Sequence, residues 1–560
     1  MKQVIYIFLI SIGASLMISC KKQIQEKQLD PNNPTSVPPG LILGTVLTDI
    51  SATGGSGGLG DGTGTGDGIN SWGNVQGWNQ YHCQNYDYYG NNIYSWTDGS
   101  TNSDGSTSGP FNSYLVLKNV IQMEKEAASR GAESVNPYEA VGRFIRAYYY
   151  YNLTSLFGDI PLTEALQGSA NAKPSYTPQE QVFAYVLNQL DSANTDFAAL
   201  MGKSDNSLPP SQDIYYHGDL SSWQKLVNTF KLRVLISLSS KASDATLNVP
   251  AQFANIISNP SKYPIFASQG DDFEFVYNPG DANTYSTYPF NPSNFGSIAA
   301  RFNMASTYVS ALTSINDPRV FITCEPASAL LGNDPDPCQF KYFVGASTGE
   351  SVQSMYGNAS AGKYSFINRK RYYSNFTGEP DVLVGYKEMC FNIAEAIARG
   401  WVTGKTNVDA ETWYKEGITA SMEFYGIDIT RSDFTAYFLP AGANSVTQVA
   451  PYPFGFSFSN YYNQPQVKLS GTAATAINQI VLQKYIACFE NSGYEPYYNW
   501  RRTGVPAFQG GSGVGNNGVV PKRWAYPVSE QSQNKTNWTA ALSAQQFAAD
   551  DLNQTMWLLK

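Results

Sequence analysis

The chain has 560 residues and a formal net charge of −9, and 14% of its residues are charged, well below the ~25% of a typical soluble protein. No Lys/Arg cluster larger than a triplet occurs, which excludes nucleic acid as the expected partner because nucleic-acid binding requires basic stripes. The 42% hydrophobic content excludes a disordered chain, and the many aromatic residues, led by 38 Tyr, favour uncharged, hydroxyl-rich ligands over phosphates.

The first residues have the pattern of an export signal. Lys2 precedes an apolar stretch over 4–18, which is shorter than the ~20 residues that a membrane-spanning helix needs. The segment Leu16-Met17-Ile18-Ser19 leads into Cys20 and resembles a bacterial lipobox, which has a small residue at the cleavage point and a thiol that accepts a diacylglycerol. The sequence therefore predicts a lipoprotein signal peptide over 1–19 and a lipidated, Pro-rich tether over 20–38. An ordinary secretory signal with an incidental Cys is the alternative.

A Gly-rich stretch over 54–68 precedes a segment, 69–98, that is dense in Trp, Tyr, Asn and Asp. Trp and Tyr rings stack on the C–H faces of sugars, and amide and carboxylate groups bind sugar hydroxyls. The first candidates for ligand contact in this segment are Trp72, Trp78, Tyr88, Tyr89 and Trp96. Weaker candidates farther along the chain are Tyr285, Tyr288, Tyr356, Tyr372 and Tyr373. For each of them, packing against the scaffold or a protein partner is the alternative.

Amphipathic periodicity predicts a series of helices from residue 136 onward. Asn136 followed by Pro137 is a start signal, and the apolar positions that follow trace one helix face up to Gly158. Thr177 begins a second start signal, which we interpret as a capping box. Later helices are predicted at about 221–238, 382–399, 409–425 and 472–490. Helices in pairs with short turns resemble tetratricopeptide-like units, so a mainly α fold is expected.

Between 243 and 380 the helical pattern fades into a stretch rich in Asn, Pro, Ser, Tyr and Phe. We interpret this stretch as a loop-rich insertion that carries short β-strands, for example over 272–277. Within it, Cys324 and Cys338 bracket a Pro-containing loop and could form a disulfide in an oxidising compartment. Two unpaired thiols are the alternative.

Residues suited to catalysis or metal binding are scarce. The two histidines, His82 and His217, do not lie in a metal-ligand spacing, and no CxxC motif occurs. The sequence therefore predicts no catalytic residue, no metal site and no cofactor. Arg501 and Arg502 are expected to brace helix ends through charged hydrogen bonds. A glycoside hydrolase is the enzyme alternative, because it requires only two carboxylates at the right separation.

Short motifs follow one another along the chain. The longest, 143–161, reads RFIRAYYYYNLTSLFGDIP. The others are Asp30-Pro31-Asn32, Lys231-Leu232-Arg233, Ala394-Glu395-Ala396, Tyr414-Lys415-Glu416-Gly417-Ile418, Gln483-Lys484-Tyr485, Trp500-Arg501-Arg502-Thr503-Gly504 and Tyr526-Pro527. In this order the motifs resemble the SusD/RagB family of nutrient-binding outer-membrane lipoproteins over nearly the whole chain. The Trp-Arg-Arg-Thr-Gly ending is similar to that of the SusD-like subfamily.

This resemblance implies a mainly α fold with about four tetratricopeptide-like helix pairs. It implies a single SusD-like domain over 39–560, with ligand-side loops at about 51–110 and 243–380. A lipid on Cys20 would hold the protein on the outward face of the outer membrane. The partner would be a SusC-like TonB-dependent transporter, and the ligand an oligosaccharide or a peptide. No enzymatic activity is implied, and a surface adhesin or structural lipoprotein is the alternative.

Overall fold

Helices make up most of the chain that the computed structural model describes, and the strands are short. The described residues are 36–51, 74–86, 92–97, 109–203, 207–278, 288, 292–296, 299–402, 404, 407–440 and 442–560. The predictions for 1–19, Cys20, Trp72, Tyr88 and Tyr89 lie outside them.

The helices are α1 (Pro39–Ser51), α2 (Asn74–Trp78), α3 (Ser113–Ser129), α4 (Pro137–Phe157), α5 (Gln179–Leu200), α6 (Leu220–Ser237), α7 (Val249–Ser258), α8 (Ser306–Thr313), α9 (Val320–Thr323), α10 (Ser328–Leu331), α11 (Val352–Ser360), α12 (Arg369–Tyr373), α13 (Tyr386–Ala398), α14 (Asn407–Phe424), α15 (Phe458–Tyr462), α16 (Ala473–Ala487), α17 (Glu495–Thr503), α18 (Val528–Gln533) and α19 (Lys535–Ala544). The strands are β1 (His82–Gln84), β2 (Phe273–Phe275), β3 (Phe302–Met304), β4 (Asp381–Val384), β5 (Asp433–Phe438) and β6 (Ala450–Gly455).

Neighbouring helices pack in pairs. In the described chain the most extensive contacts join α4 with α5 and α13 with α14, followed by α13 with α16, α1 with α3, α5 with α6, and α3 with α4. Each pair covers apolar surface that one helix could not bury alone. The predicted mainly α fold is therefore confirmed.

Helix α4 begins where the sequence predicts it. The Asn136 side chain accepts hydrogen bonds from the backbone N–H groups of Tyr138 (3.0 Å) and Glu139 (3.1 Å), and Pro137 occupies the first turn. The helix ends at Gly158, whose φ of 93° is rarely adopted by a residue with a Cβ. The second half of α4 is buried throughout, which places it in the centre of the helical part of the fold.

The capping box expected at Thr177 is not formed. Thr177 instead pairs its backbone with that of Ile160, and α5 has no side-chain cap of its own. Asp159, in the connection after α4, accepts a hydrogen bond from the Gln179 backbone N–H at 2.8 Å. A first-turn donor of α5 is thus satisfied by a side chain from the preceding helix connection.

Two large hydrophobic clusters form the interior. The first is built from α1, from the helices α3 to α7, and from the C-terminal segment around Trp524. The second combines the insertion with α14, α16 and the β5–β6 hairpin. Helix α13 serves both, because Met389 packs in the first cluster and Phe391 in the second. Helix α13 therefore contributes side chains to both hydrophobic clusters.

The strands form three antiparallel pairs in the described residues: β1 with β3, β2 with β4, and β5 with β6. Strand β2 falls inside the predicted strand over 272–277. Strand β1 comes from the aromatic segment and β3 from the insertion, with Gln84 opposite Phe302. This pairing brings together the two regions that were expected to carry ligand loops.

Buried ion pairs connect the helix pairs. Arg233 of α6 donates through Nε to Glu388 of α13 at 2.8 Å and through Nη2 to the Leu383 carbonyl at 2.7 Å. Lys484 of α16 lies 3.8 Å from the carboxylates of both Glu388 and Glu495. The four charged side chains are almost completely buried. Removal of one would leave an uncompensated charge in the interior.

Candidate functional site

Trp78 and Trp96 are buried in the first hydrophobic cluster, so the prediction that they contact ligand is wrong. Trp96 is 0% exposed and stacks on Trp524, with ring centroids 5.5 Å apart and an interplanar angle of 11°. Trp78 packs edge-on against both rings, and its Nε1 donates to the Ile93 carbonyl at 3.1 Å. A sugar ring needs an accessible aromatic face, and neither indole offers one.

Contacts with the far end of the chain cause this burial. The Asn79 side chain donates to the Gly493 carbonyl at 2.8 Å, and the Tyr81 hydroxyl donates to the Tyr485 carbonyl at 2.6 Å. The residues around α2 and β1 are therefore held inside the fold by the α16–α17 region. The alternative of scaffold packing applies to this part of the aromatic segment.

The weaker tyrosine candidates differ in their exposure to solvent. Tyr288, Tyr372 and Tyr373 are 0% exposed and cannot stack on a ligand. Tyr285 lies outside the described residues. Tyr356 is 50% exposed and presents its ring to solvent.

An accessible pair of tyrosines marks the candidate ligand surface. The rings of Tyr86 and Tyr356 lie 5.7 Å apart at an angle of 50°, and the Arg301 guanidinium lies 5.4 Å from the centre of the Tyr86 ring. Tyr86 comes just after β1 and Arg301 just before β3, so the pairing of these strands sets their separation. We call Tyr86, Arg301 and Tyr356 the tyrosine surface.

Helix α11 positions Tyr356. Its neighbour Met355 is 0% exposed and packs in a small buried cluster with Cys83 of β1, which leaves Tyr356 facing outward. Glu350, just before the helix, accepts a hydrogen bond from the Asn358 side chain at 2.8 Å. The helix is thus fixed both to β1 and to the loop that precedes it.

A network of polar side chains adjoins α11. The Tyr364 hydroxyl donates to Glu350 at 2.7 Å, and Lys363 Nζ donates to the Asn358 side-chain oxygen at 3.2 Å. Partial burial and the bond to Glu350 raise the pKa of Tyr364 to about 12, so its hydroxyl stays protonated at neutral pH. Aromatic faces beside such polar groups suit a ligand that has both C–H faces and hydroxyls.

His82 is a buried and weakly basic side chain. His82 lies beside Glu490, and burial lowers the pKa of His82 to about 4, so the ring is neutral at pH 7. Within the described residues, no group of His, Cys, Asp and Glu could hold a metal ion. In the same part of the chain, each helix is too short or too polar to cross a membrane.

Two open clefts flank the β5–β6 hairpin. One, of about 560 Å³, is lined by aromatic rings such as Phe340 and Phe456 and by the amide of Asn460. The other, of about 670 Å³, is lined by Lys370 and by Tyr437, which is 43% exposed. Neither cleft includes a residue of the tyrosine surface. They are separate surfaces of the insertion side.

Cys324 and Cys338 are separate thiols in the structure, so the predicted disulfide is wrong. Cys324 is fully buried, 3.4 Å from the Thr323 hydroxyl, whereas half-buried Cys338 donates to the Tyr452 carbonyl of the hairpin at 3.9 Å. The two side chains thus have different partners. Burial raises the pKa of each thiol to about 12, which makes both unreactive at neutral pH.

Reduction is therefore expected to leave the protein unchanged. Dithiothreitol should shift the melting temperature by less than about 1 °C, because no cross-link between Cys324 and Cys338 stabilises the fold. Peptide mapping under non-reducing conditions, after free thiols are blocked, should place the two residues on separate peptides. A cross-linked peptide that disappears on reduction would contradict the structure.

Arg301 was missed in the sequence, and Tyr86 was not among the first candidates. Asn85 is buried between the half-exposed Gln84 and Tyr86, but residue polarity does not alternate along 82–86, so the sequence carries no signal for Tyr86. Arg301 has no local signal. The Asn85 side chain bonds to that of Asn303, 218 residues away, and this long-range pairing places Arg301.

The comparisons with known proteins agree with this architecture. Residues 68–527 match the SusD-like_2 family, described as starch-binding and associating with the outer membrane. A SusD homologue of Bacteroides fragilis has a TM-score of 0.73 at 26% identity, covering 94% of this chain and 100% of that one. An outer membrane protein of Bacteroides vulgatus linked to nutrient binding has a TM-score of 0.72 at 28% identity, with the same coverage of 94% and 100%.

A chitin-binding SusD homologue from Flavobacterium johnsoniae shares the fold, with a TM-score of 0.62 at 19% identity over 88% of this chain and 93% of that one. No curated protein matches the chain. The family match spans the packed helices α3 to α17, the insertion and the tyrosine surface. The resemblance carried by the motifs is thus confirmed, and this chain belongs to the SusD-like family of starch-binding proteins that associate with the outer membrane.

Proposed function

We propose that this protein is a cell-surface lipoprotein that binds an oligosaccharide and delivers it to a SusC-like TonB-dependent outer-membrane transporter. The observation that carries the proposal is the tyrosine surface, where an exposed ring, a second ring and a guanidinium group meet. The family description and the chitin-binding homologue support a glycan as the ligand. We propose binding without catalysis.

The remaining parts of the chain have roles in the same proposal. Residues 1–19 are the signal peptide, Cys20 carries the lipid, and 20–38 form the tether. Residues 39–560 are one ligand-binding domain that faces away from the cell. Removal of the thiol by Cys20→Ser would then release the protein from the membrane.

Three candidates outside the described residues belong to this ligand surface in the proposal. Tyr88 and Tyr89 follow Tyr86 closely in sequence, and Trp72 precedes α2 by two residues. Together they would give several rings to successive sugar units.

The chemistry of the tyrosine surface suits a sugar. The Tyr356 ring can stack on the C–H face of a pyranose, and the Arg301 guanidinium can donate to ring or hydroxyl oxygens. Because Arg301 lies against the Tyr86 ring, its position is partly fixed before ligand arrives. A preordered donor beside an exposed ring lowers the entropy lost on binding.

The variant Tyr356→Ala tests this surface. It should weaken binding of a starch or chitin oligosaccharide by about 1–3 kcal/mol, the usual cost of truncating an aromatic binding residue. The free energy of unfolding should change by less than about 0.5 kcal/mol because the side chain is half exposed. Isothermal titration calorimetry and urea unfolding measure the two quantities.

Tyr437→Ala is the matched control, because Tyr437 is similarly exposed but lies in a cleft beside the hairpin. It should leave the affinity unchanged. If Tyr437→Ala weakens binding and Tyr356→Ala does not, the ligand site lies in that cleft and the tyrosine surface is not the site.

Co-purification tests the transporter role. The lipidated protein, extracted from its own outer membrane in mild detergent, should bring a TonB-dependent barrel with it in near-equal amount. The Cys20→Ser variant should appear in the soluble fraction. If the lipidated protein is recovered alone, in a detergent that preserves such complexes, delivery to a transporter is refuted.

A further inference from the structure

A small polar cavity lies at the junction of α4, α6, α17 and the C-terminus. Its volume is about 60 Å³, and its walls include Ser155, Ser240, Tyr498, Arg501, Arg502 and Leu558. This is several times the ~10–15 Å³ that one water molecule requires, but far less than a sugar unit needs. The cavity is separate from the tyrosine surface and from both hairpin clefts.

Three donors at this cavity have no protein acceptor. The Ser155 hydroxyl and the Nε atoms of Arg501 and Arg502 are buried and form no hydrogen bond within the described chain. Ser155 itself is 1% exposed. Nearly all buried polar groups in folded proteins have a partner. Three such donors around one cavity therefore indicate a bound species that accepts hydrogen bonds.

The other lining hydroxyls already have acceptors in the protein. Ser240 donates to the Leu558 carbonyl at 2.6 Å, and Tyr498 donates to the Asn152 side chain at 3.3 Å. These groups therefore do not compete for the bound species. The atoms of the walls that have no partner in the described chain include the three donors Ser155 Oγ, Arg501 Nε and Arg502 Nε, and two of the three belong to cations.

Positive charge is in excess around the cavity. Arg502 donates through Nη2 to Glu395 at 2.8 Å, but Arg399 also pairs with that carboxylate at 2.7 Å. Arg501 forms no ion pair with any carboxylate of the described residues. Its Nη1 donates to the Lys522 carbonyl at 2.7 Å, which is a neutral acceptor.

The remaining nearby charges do not remove this excess. The C-terminal carboxylate accepts a hydrogen bond from Lys241 at 2.9 Å. Glu495 accepts from the Tyr151 hydroxyl at 2.6 Å and lies beside Lys484, and burial raises the pKa of Glu495. The three guanidinium groups of Arg399, Arg501 and Arg502 therefore have a single carboxylate nearby that is not already paired elsewhere, that of Glu395. A partly buried charge without a counter-ion is costly.

We propose that this cavity is a chloride site, in which the anion accepts hydrogen bonds from Ser155, Arg501 and Arg502. A chloride ion is little larger than a water molecule, accepts without donating, and supplies the missing negative charge. Water could fill the volume but would leave the charge excess. The bound ion would join α4 and α17. This inference does not depend on the proposed transport function.

Thermal unfolding of the detergent-purified full-length protein tests the site. In sodium chloride the melting temperature should exceed that in sodium gluconate of equal ionic strength by on the order of 1 °C, because a ligand that binds the folded state stabilises it. Gluconate is too large for the cavity, so it controls for screening. Equal melting temperatures in the two salts would refute the proposal.

Ser155→Ala removes one donor with a minimal change of shape. The variant should lose most of the difference between chloride and gluconate, and in gluconate it should be at least as stable as the wild type because an unpaired hydroxyl is gone. Ser129→Ala, at an exposed serine of α3, should keep the full difference. A difference of the same size in all three proteins would show that chloride acts elsewhere.

Bromide provides the direct observation. A crystal of the full-length protein soaked in sodium bromide should show an anomalous peak about 3.3 Å from the Ser155 hydroxyl and the two Nε atoms. The peak should be stronger than any at Arg431, whose side chain is 58% exposed. Density at the cavity without an anomalous signal would identify water and overturn the proposal.

Discussion

Trp96→Ala is expected to lower the free energy of unfolding by about 3–5 kcal/mol, the range for truncating a buried Trp, and to leave the glycan affinity of the folded fraction unchanged. The indole is 0% exposed, stacks on Trp524 and meets the Tyr497 ring edge-on at 4.8 Å. Deleting it opens a cavity between rigid rings that cannot collapse to fill it. Urea unfolding followed by circular dichroism measures the loss.

The matched control is Trp413→Ala, at a half-buried Trp of α14. Folding buries less apolar area at Trp413 than at Trp96, so the decrease in the free energy of unfolding should be clearly smaller than for Trp96→Ala. If Trp96→Ala weakened glycan binding more than it weakened the fold, the indole would be a ligand contact and its burial in the structure would be wrong.

Arg233→Met is expected to cost about 3–5 kcal/mol, because it leaves the Glu388 carboxylate buried without its main partner. Burial alone would raise the pKa of Glu388, but Arg233 and Lys484 outweigh it and hold that pKa below its usual value. The Ser492 hydroxyl, which donates to Glu388 at 2.9 Å, cannot replace a full positive charge. Adding Glu388→Gln to the variant should restore part of the stability.

Lys415→Met provides the comparison, because Lys415 pairs with Glu411 on the surface of α14 at 3.1 Å and is 44% exposed. Such a pair contributes at most about 1 kcal/mol. If Lys415→Met lowered the free energy of unfolding as much as Arg233→Met, the Lys415–Glu411 and Arg233–Glu388 pairs would not differ in burial, which would contradict the structure.

The pH dependence of Arg233→Met has a defined sign. A carboxyl whose folded pKa is lowered stabilises the protein above its unfolded pKa of about 4.3, and this contribution is lost as the pH falls through the folded pKa. The difference in unfolding free energy between wild type and Arg233→Met should therefore be full at pH 7 and narrow below about pH 4. A difference that widens in acid would contradict the assignment to Glu388.

The helices could be predicted because their signals are local. Asn136 and Pro137 mark the start of α4, and the period of its apolar residues survives in the burial pattern. The second start at Thr177 was placed correctly but for the wrong reason. Its cap comes from Asp159, whose position depends on how the chain leaves α4. A local sequence pattern thus predicts that a helix exists more reliably than it predicts which residues cap the helix.

The candidate site could be predicted much less well. A segment of Trp, Tyr and Asn has the same composition whether it lines a sugar site or fills a core. Trp96 and Tyr86 lie ten residues apart, yet one is enclosed by Trp524 and the other is accessible beside Tyr356. The difference arises from partners hundreds of residues away. The disulfide between Cys324 and Cys338 failed for a related reason, since sequence spacing does not reveal side-chain direction.

The hydrogen bond from Asn79 to Gly493 spans 414 residues and closes the indole cluster of Trp78 and Trp96. A ribosome adds about 5–20 residues per second, so the early indoles exist for roughly 20–80 seconds before their covering partners are made. During that interval the two indoles lack the residues that cover them in the folded protein. The first hydrophobic cluster can therefore close only after nearly the whole chain has been made, and a chain that stops before Gly493 lacks the acceptor for Asn79.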